Sequence, residues 1–121
     1  MKVLAVLVGV ILASVLVVGC AGGSHTFTRD ISVPAGQSQI IAIELQSGDT
    51  LSVAVSVKGG GTPLDIGVSV EGPSGEKITT RERNRSHSFA VTAAQTGRYH
   101  IILDNTYSPL APKLVTLTLK Y

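Results

Sequence analysis

Thr50-Leu51-Ser52-Val53-Ala54-Val55-Ser56-Val57-Lys58 decides the fold class of this chain. Leu51, Val53, Val55 and Val57 fall on one face of an extended segment, with Ser52, Ala54 and Ser56 on the other. Side chains in a strand alternate with period two, so four apolar residues at this spacing bury one face of a sheet. The same period recurs on both sides. Upstream, a short strand Asp30–Val33 precedes Gln39–Gln46, which sets Ile41, Ile43 and Leu45 against Ala42 and Glu44. Downstream, Leu64–Val70 sets Leu64, Ile66, Val68 and Val70 against Asp65, Gly67 and Ser69. Shorter strands are expected at Glu76–Thr80 and at Ser88–Thr92, where Phe89 and Val91 face inward. Arg98–Asp104 alternates Tyr99, Ile101 and Leu103 against Arg98, His100 and Ile102, and Lys113–Tyr121 closes the series.

Between these runs lie turn residues: Pro34-Ala35-Gly36, Ser47-Gly48-Asp49, Gly72-Pro73-Ser74-Gly75 and Ala93–Gly97. Turn signals every 8 to 12 residues or so are the rhythm of an all-β sandwich or barrel. Lys58–Pro63 and Asn105–Pro112 read as loops, and Arg81–Ser86 as a charged connection. No segment carries a helical period. The expectation is an all-β, antiparallel two-sheet β-sandwich of about eight strands, jelly-roll-like in its connections.

The N-terminus is of another kind. Lys2 is followed by Val3–Val18, apolar except for Gly9 and Ser14, and then by Gly19 and Cys20. A charged start and an apolar stretch make a secretory targeting segment. Its 16 residues fall short of the roughly 20 that cross a bilayer as a helix, although about 17 is the lower limit for spanning. Val17-Val18-Gly19-Cys20 resembles the lipobox of bacterial lipoproteins. That resemblance implies cleavage before Cys20 and lipid modification of its thiol, with a short uncleaved anchor as the other reading. It divides the chain into a signal peptide at 1–19, a lipidated cysteine and flexible stalk at 20–28, and a sandwich at 29–121. Two or more acyl chains hold a protein stably on a membrane. The partner at this end is then membrane lipid, and the location is the bacterial cell envelope, outside the cytoplasm. Ala21 rather than aspartate after the cysteine resembles the pattern for an outer-membrane destination where the host has two membranes.

Cys20 is the single cysteine, so the domain after it has no disulfide and depends on its core. Without Lys2 the formal charge falls from +2 to +1, and bulk charge names no partner. Nucleic acid is not expected on charge or on compartment. His25, His87 and His100 have no ligand spacing for a metal, and neither metal nor cofactor is expected. Asp49, Asp65 and Asp104 lie near strand ends without the alternation of a calcium loop, and each has a local use in its turn. Ser86-His87-Ser88 has no motif around it for nucleophilic catalysis, and no enzymatic activity is expected.

Two features remain for binding. If extended, Arg81, Arg83 and Arg85 share one face, separated by Glu82 and Asn84. On an anchored domain such a row meets anionic headgroups or an acidic protein partner, or it guards a sheet edge against aggregation. The loop from Asn105, with Tyr107 near its start, is either a recognition loop on a rigid scaffold or an ordinary crossover.

The order of features along the chain resembles a GOLD domain, the β-sandwich of the emp24/gp25L/p24 family. The matching stretches are Asp30–Val33 with Pro34 and Gly36, Leu45–Asp49, Val55–Gly60, Leu64–Gly75, Ser88–Ser108 and the closing strand. The Gly72–Gly75 turn, Gly97-Arg98-Tyr99 and Asp104-Asn105 are the most specific. The resemblance implies a β-sandwich and non-enzymatic recognition. The disulfide, coiled coil and transmembrane helix of eukaryotic members have no counterpart in this sequence. Ser47–Ser56, Leu64–Gly75 and Thr96–Leu103 are also similar to bacterial pre-peptidase C-terminal domains. That likeness implies an accessory module, binding calcium or carbohydrate, for a secreted hydrolase.

Overall fold

The computed structural model describes residues 25–121 in full and the backbone of residues 3–8 and 13–18. Cys20, its acylation and the start of the expected stalk lie outside the described residues. Among the described residues no helix is long and apolar enough to cross a membrane. The two N-terminal segments, β1 (Val3–Val8) and β2 (Ala13–Val18), pair antiparallel, and β2 runs parallel to Ser38–Leu45.

The sandwich is built from the eight strands that follow: β3 (Thr26–Val33), β4 (Ser38–Leu45), β5 (Thr50–Gly60), β6 (Ile66–Glu71), β7 (Lys77–Asn84), β8 (Ser86–Thr92), β9 (Gly97–Asp104) and β10 (Lys113–Lys120). One sheet has the order β4-β9-β6-β7, continued past β4 by the N-terminal pair; the other has the order β3-β10-β5-β8. Every sandwich pairing is antiparallel. Apart from the β6–β7 hairpin, each connection carries the chain from one sheet to the other.

The strand that decides the fold class behaves as its pattern requires. Leu51, Val53, Val55 and Val57 are at most 2% exposed, while the serines and alanine between them are exposed. They meet Ile41, Ile43, Leu45, Val68, Val70, Tyr99, Ile101 and Leu103 from the facing sheet in one continuous core. Tyr99 is buried to the ring, and its hydroxyl donates to the Gln95 carbonyl at 2.6 Å and accepts from the Gln95 amide at 3.2 Å. This ties the turn before β9 to the core, as the tyrosine corner of other sandwiches does. Tyr99→Phe is expected to cost about 1 kcal/mol. The check is a lower urea midpoint with an unchanged slope.

Leu64 and Asp65, read as the start of a strand, precede β6, and Ser86 and His87 already belong to β8; three further boundaries also differ from those read in the sequence. Arg81–Asn84 is strand, not connection, because β7 continues its ladder with β6 as far as Asn84 opposite Ile66. Thr26–Thr28 is strand, not stalk, because β3 pairs with β10 back to Thr26 opposite Lys120, and Phe27 packs on the core. Lys58–Gly60 extends β5 along β10 past an irregularity between Leu114 and Val115. In each case the neighbouring strand supplies hydrogen-bond partners to a backbone whose own side chains carry no strand pattern.

The strand directions give the sandwich two distinct ends. His25 exchanges backbone hydrogen bonds with Tyr121, so the residues following the Cys20 segment enter at the end holding the turns 46–49, 72–76 and 93–96. The opposite end holds the connections 34–37, 61–65 and 105–112 and the turn at Arg85.

Candidate functional site

Four of the residues singled out in the sequence, Arg83, Arg85, Asn105 and Tyr107, come to this distal end, with Arg81 just below it. The centre of the cluster is Lys113, at the start of β10. Its side chain is 0% exposed, and its Nζ donates to the Asp65 carbonyl at 3.0 Å, the Asp65 carboxylate at 3.3 Å and the Asn105 Oδ1 at 3.2 Å. Three acceptors saturate the three donors of an ammonium, which a buried lysine requires. Asn105, also 0% exposed, turns its amide to the carbonyls of Pro34 and Ala111. Asn105 is therefore a strut between loops and offers no surface to a partner.

Tyr107 lies over this core of charge. Its single O–H is shared between two acceptors of Asp65, the carbonyl at 2.7 Å and the carboxylate at 2.9 Å. Burial, and then the hydrogen bond to Asp65, push this phenol well above its usual range, so it stays protonated as a donor. The ring faces the Lys113 Nζ at 5.3 Å and the Arg83 guanidinium at 4.2 Å. Arg83 is thus stacked on a ring whose own position is fixed by the contact of its hydroxyl with Asp65.

Arg81 is placed differently. It pairs with Val68 across the ladder and so stands on the inner side of the sheet, at its open margin. There its guanidinium lies 4.8 Å from the centroid of Phe89 on β8 of the facing sheet. The expectation that the three arginines share one face fails at a bulge. Ile66 pairs with Asn84 but Val68 with Arg81, so β7 carries one residue more than β6. Arg85 sits in the turn between β7 and β8, its amide bonded to Asn84 Oδ1 and its carbonyl accepting from Val57.

Between β7 and β8 runs an open groove of 480 Å³ lined by Arg81, Glu82, Arg83, His87 and Phe89, among others. Both strands are edges here, paired only with β6 and β5 among the described residues. His87 Nε2 lies 2.7 Å from the Ile66 carbonyl, which can only accept, so that nitrogen carries the proton. Arg81, Arg83 and Arg85 have no ion pair among the described residues, whereas Lys58, Lys77, Arg98 and Lys113 each face a carboxylate.

The carboxylates weighed for calcium do not converge. Asp49 accepts from the Gln46 amide, Asp104 from the amide and hydroxyl of Thr106, and Asp65 from Lys113 and Tyr107. Among the described residues no three His, Cys, Asp or Glu are grouped to hold a metal. Reading the sequence missed Asp65 and Lys113 as one unit, and Phe89 as the seat of Arg81. The only signal was a lysine opening a strand otherwise rich in Leu, Val and Thr.

The chain belongs to the emp24/gp25L/p24 family, whose GOLD-domain model matches residues 29–121. Transmembrane emp24 domain-containing protein 1 of Bos taurus is 29% identical over 93 residues, 77% of this chain and 39% of that protein. The same protein of Homo sapiens is 28% identical over the same extent. The chain thus spans about two fifths of the length of these relatives. Among solved structures, a periplasmic inhibitor of g-type lysozyme from Aeromonas hydrophila superposes with a TM-score of 0.62 at 15% identity, covering 89% of this chain and 96% of that one. The pre-peptidase C-terminal domain of a Bacillus anthracis collagenase superposes at 0.56 with 11% identity, covering 85% and 91%. Both likenesses are of fold.

Proposed function

We propose that this chain is a membrane-anchored binding protein of the cell envelope. Cys20, once acylated, tethers it outside the cytoplasm, and the distal end of its GOLD-type sandwich engages a protein partner without catalysis. The observation that carries this reading is the state of the arginines. Arg81 and Arg83 each rest on an aromatic ring, and neither meets a carboxylate among the described residues. A guanidinium stacked on a ring keeps its in-plane donors available, and arginine with aromatic residues is the composition enriched at interfaces. The titratable groups beneath them are spent on one another. Asp65, Tyr107 and Lys113 form a closed hydrogen-bonded set, suited to holding the surface rather than to moving protons. That a periplasmic inhibitor of an enzyme has this fold agrees with a protein-directed role outside the cytoplasm.

The test is the mass of the N-terminus in protein from native membranes. An acylated Cys20 is expected, lost in Cys20→Ser together with retention in the membrane fraction. An intact Met1 with an unmodified Cys20 would sink the tether and every conclusion drawn from it.

A further inference from the structure

We infer that the groove between β7 and β8 receives an acidic, extended segment of a protein partner, with its carboxylates on Arg81 and Arg83. This rests on the binding role proposed above and names the chemistry of the ligand. Three observations on the molecule lead to it.

The first is charge. The groove and its turn carry Arg81, Arg83 and Arg85 against Glu82 as the one carboxylate in the lining, with His87 committed to the Ile66 carbonyl. The carboxylates of Asp65 and Asp104, nearest to Tyr107, are occupied by Lys113, Tyr107 and Thr106 and do not neutralise the arginines. A carboxylate matches the two-pronged donor edge of a guanidinium, and each such pair is a charge-assisted, directional contact.

The second is preorganisation. Arginine side chains ordinarily lose much rotamer freedom when they bind. Here Arg83 is seated at 4.2 Å on Tyr107 and Arg81 at 4.8 Å on Phe89, so part of that ordering precedes the ligand. The edge of β7 away from β6 is unpaired among the described residues, so an extended segment lying along it also finds backbone partners.

The third is orientation, which decides between an acidic protein and a lipid surface. The chain enters the sandwich at Thr26, opposite Lys120, whereas Lys113 and the cluster around it lie at the other end of β10. Eight residues of strand separate the two ends by about 26 Å. The five residues from Cys20 to His25 reach about 18 Å at full extension. A domain standing on that tether presents Arg83, Arg85 and Tyr107 away from the bilayer. The crest of the 105–112 loop, where Leu110 is 92% exposed, stands at the same end and adds an apolar contact for a partner.

The experiment uses the full-length protein reconstituted through its own anchor into vesicles, either of neutral phosphatidylcholine or with added anionic phosphatidylglycerol. The probe is a fluorescein-labelled peptide of consecutive glutamates, which offers carboxylates on both of its faces, followed by anisotropy, with an oligolysine peptide as control. The glutamate peptide alone is expected to bind, equally on both vesicle types, and to weaken as salt rises. Arg81→Glu with Arg83→Glu should lower its affinity about tenfold or more, with the melting temperature kept. Arg98→Glu, at the tethered end, should leave binding unchanged. Arg81→Lys with Arg83→Lys keeps the charge but loses the planar fork, and should weaken binding by an intermediate factor. The inference is overturned if the glutamate peptide does not bind, if the charge-reversed protein binds it as well as the original, or if anionic vesicles abolish binding by occupying the arginines. None of those results bears on the acylation of Cys20; an unmodified Cys20 would remove the orientation argument and leave the charge and the seating of Arg81 and Arg83 to stand on the peptide binding alone.

Discussion

Lys113→Ala should bring the protein close to unfolding. Its ammonium is fully enclosed and is the hub for Asp65 and Asn105. Removing it leaves the Asp65 carboxylate with only Tyr107 and leaves the buried Asn105 Oδ1 with no donor. Breaking a buried pair by deleting one partner costs about 3–5 kcal/mol, a large part of the 5–15 kcal/mol or so that a domain has. Urea denaturation measures it. A companion variant separates charge from shape. Lys113→Met with Asp65→Asn removes both charges and keeps most of the volume, and should recover at least half of the loss. If the double variant is as unstable as Lys113→Ala, the ion pair is not what holds this end together. The arginine surface should change with it, since Tyr107, the seat of Arg83, is hydrogen-bonded to the same Asp65.

Gly60→Ala should be comparably severe, for reasons of space and backbone. Gly60 has φ +106°, and a Cβ added there would overlap the Pro112 carbonyl oxygen and lie 2.9 Å from the Lys113 Cα. Both obstacles are backbone, so no rotamer change relieves them. Conformational cost and overpacking together amount to about 2–5 kcal/mol. Two neighbouring tests divide the effect. Gly48→Ala, at φ +94° with open space around its Cβ, should show the backbone part alone, about 1 kcal/mol. Gly59→Ala, with open space and an ordinary φ, should be within about 0.5 kcal/mol of the original protein. Thermal melts of the three proteins should rank Gly59, Gly48, Gly60.

The sandwich was legible because its long strands bury one face each. Leu51 to Val57 and Tyr99 to Leu103 announce both their conformation and their inner side through period two alone. β7 was not legible beyond Thr80, since Arg81, Glu82, Arg83 and Asn84 are strand only through the ladder offered by β6. The arginines drew notice as a charged run, but the seats that order two of them come from elsewhere in sequence. Phe89 faces Arg81 from the other sheet, and Tyr107 reaches Arg83 from the loop after β9. Asn105 was picked out beside Tyr107 for the same loop, yet its side chain turns inward, because the carbonyls of Pro34 and Ala111 need a donor. Lys113 stands out in the sequence only as the residue that opens the last strand. Its burial is a tertiary fact, fixed by the approach of Asp65 across 48 positions of sequence.

The place of β10 has a further consequence, in time rather than in space. It lies in the middle of its sheet, hydrogen-bonded to β3 on one side and β5 on the other. Those two strands do not pair with each other, so half of the sandwich has no continuous hydrogen-bond network until residues 113–120 are present. A nascent chain therefore cannot close this domain early. It stays open until its last strand is made, and pairings this distant in sequence form slowly. The strand that completes the core is also the one that releases the chain to fold.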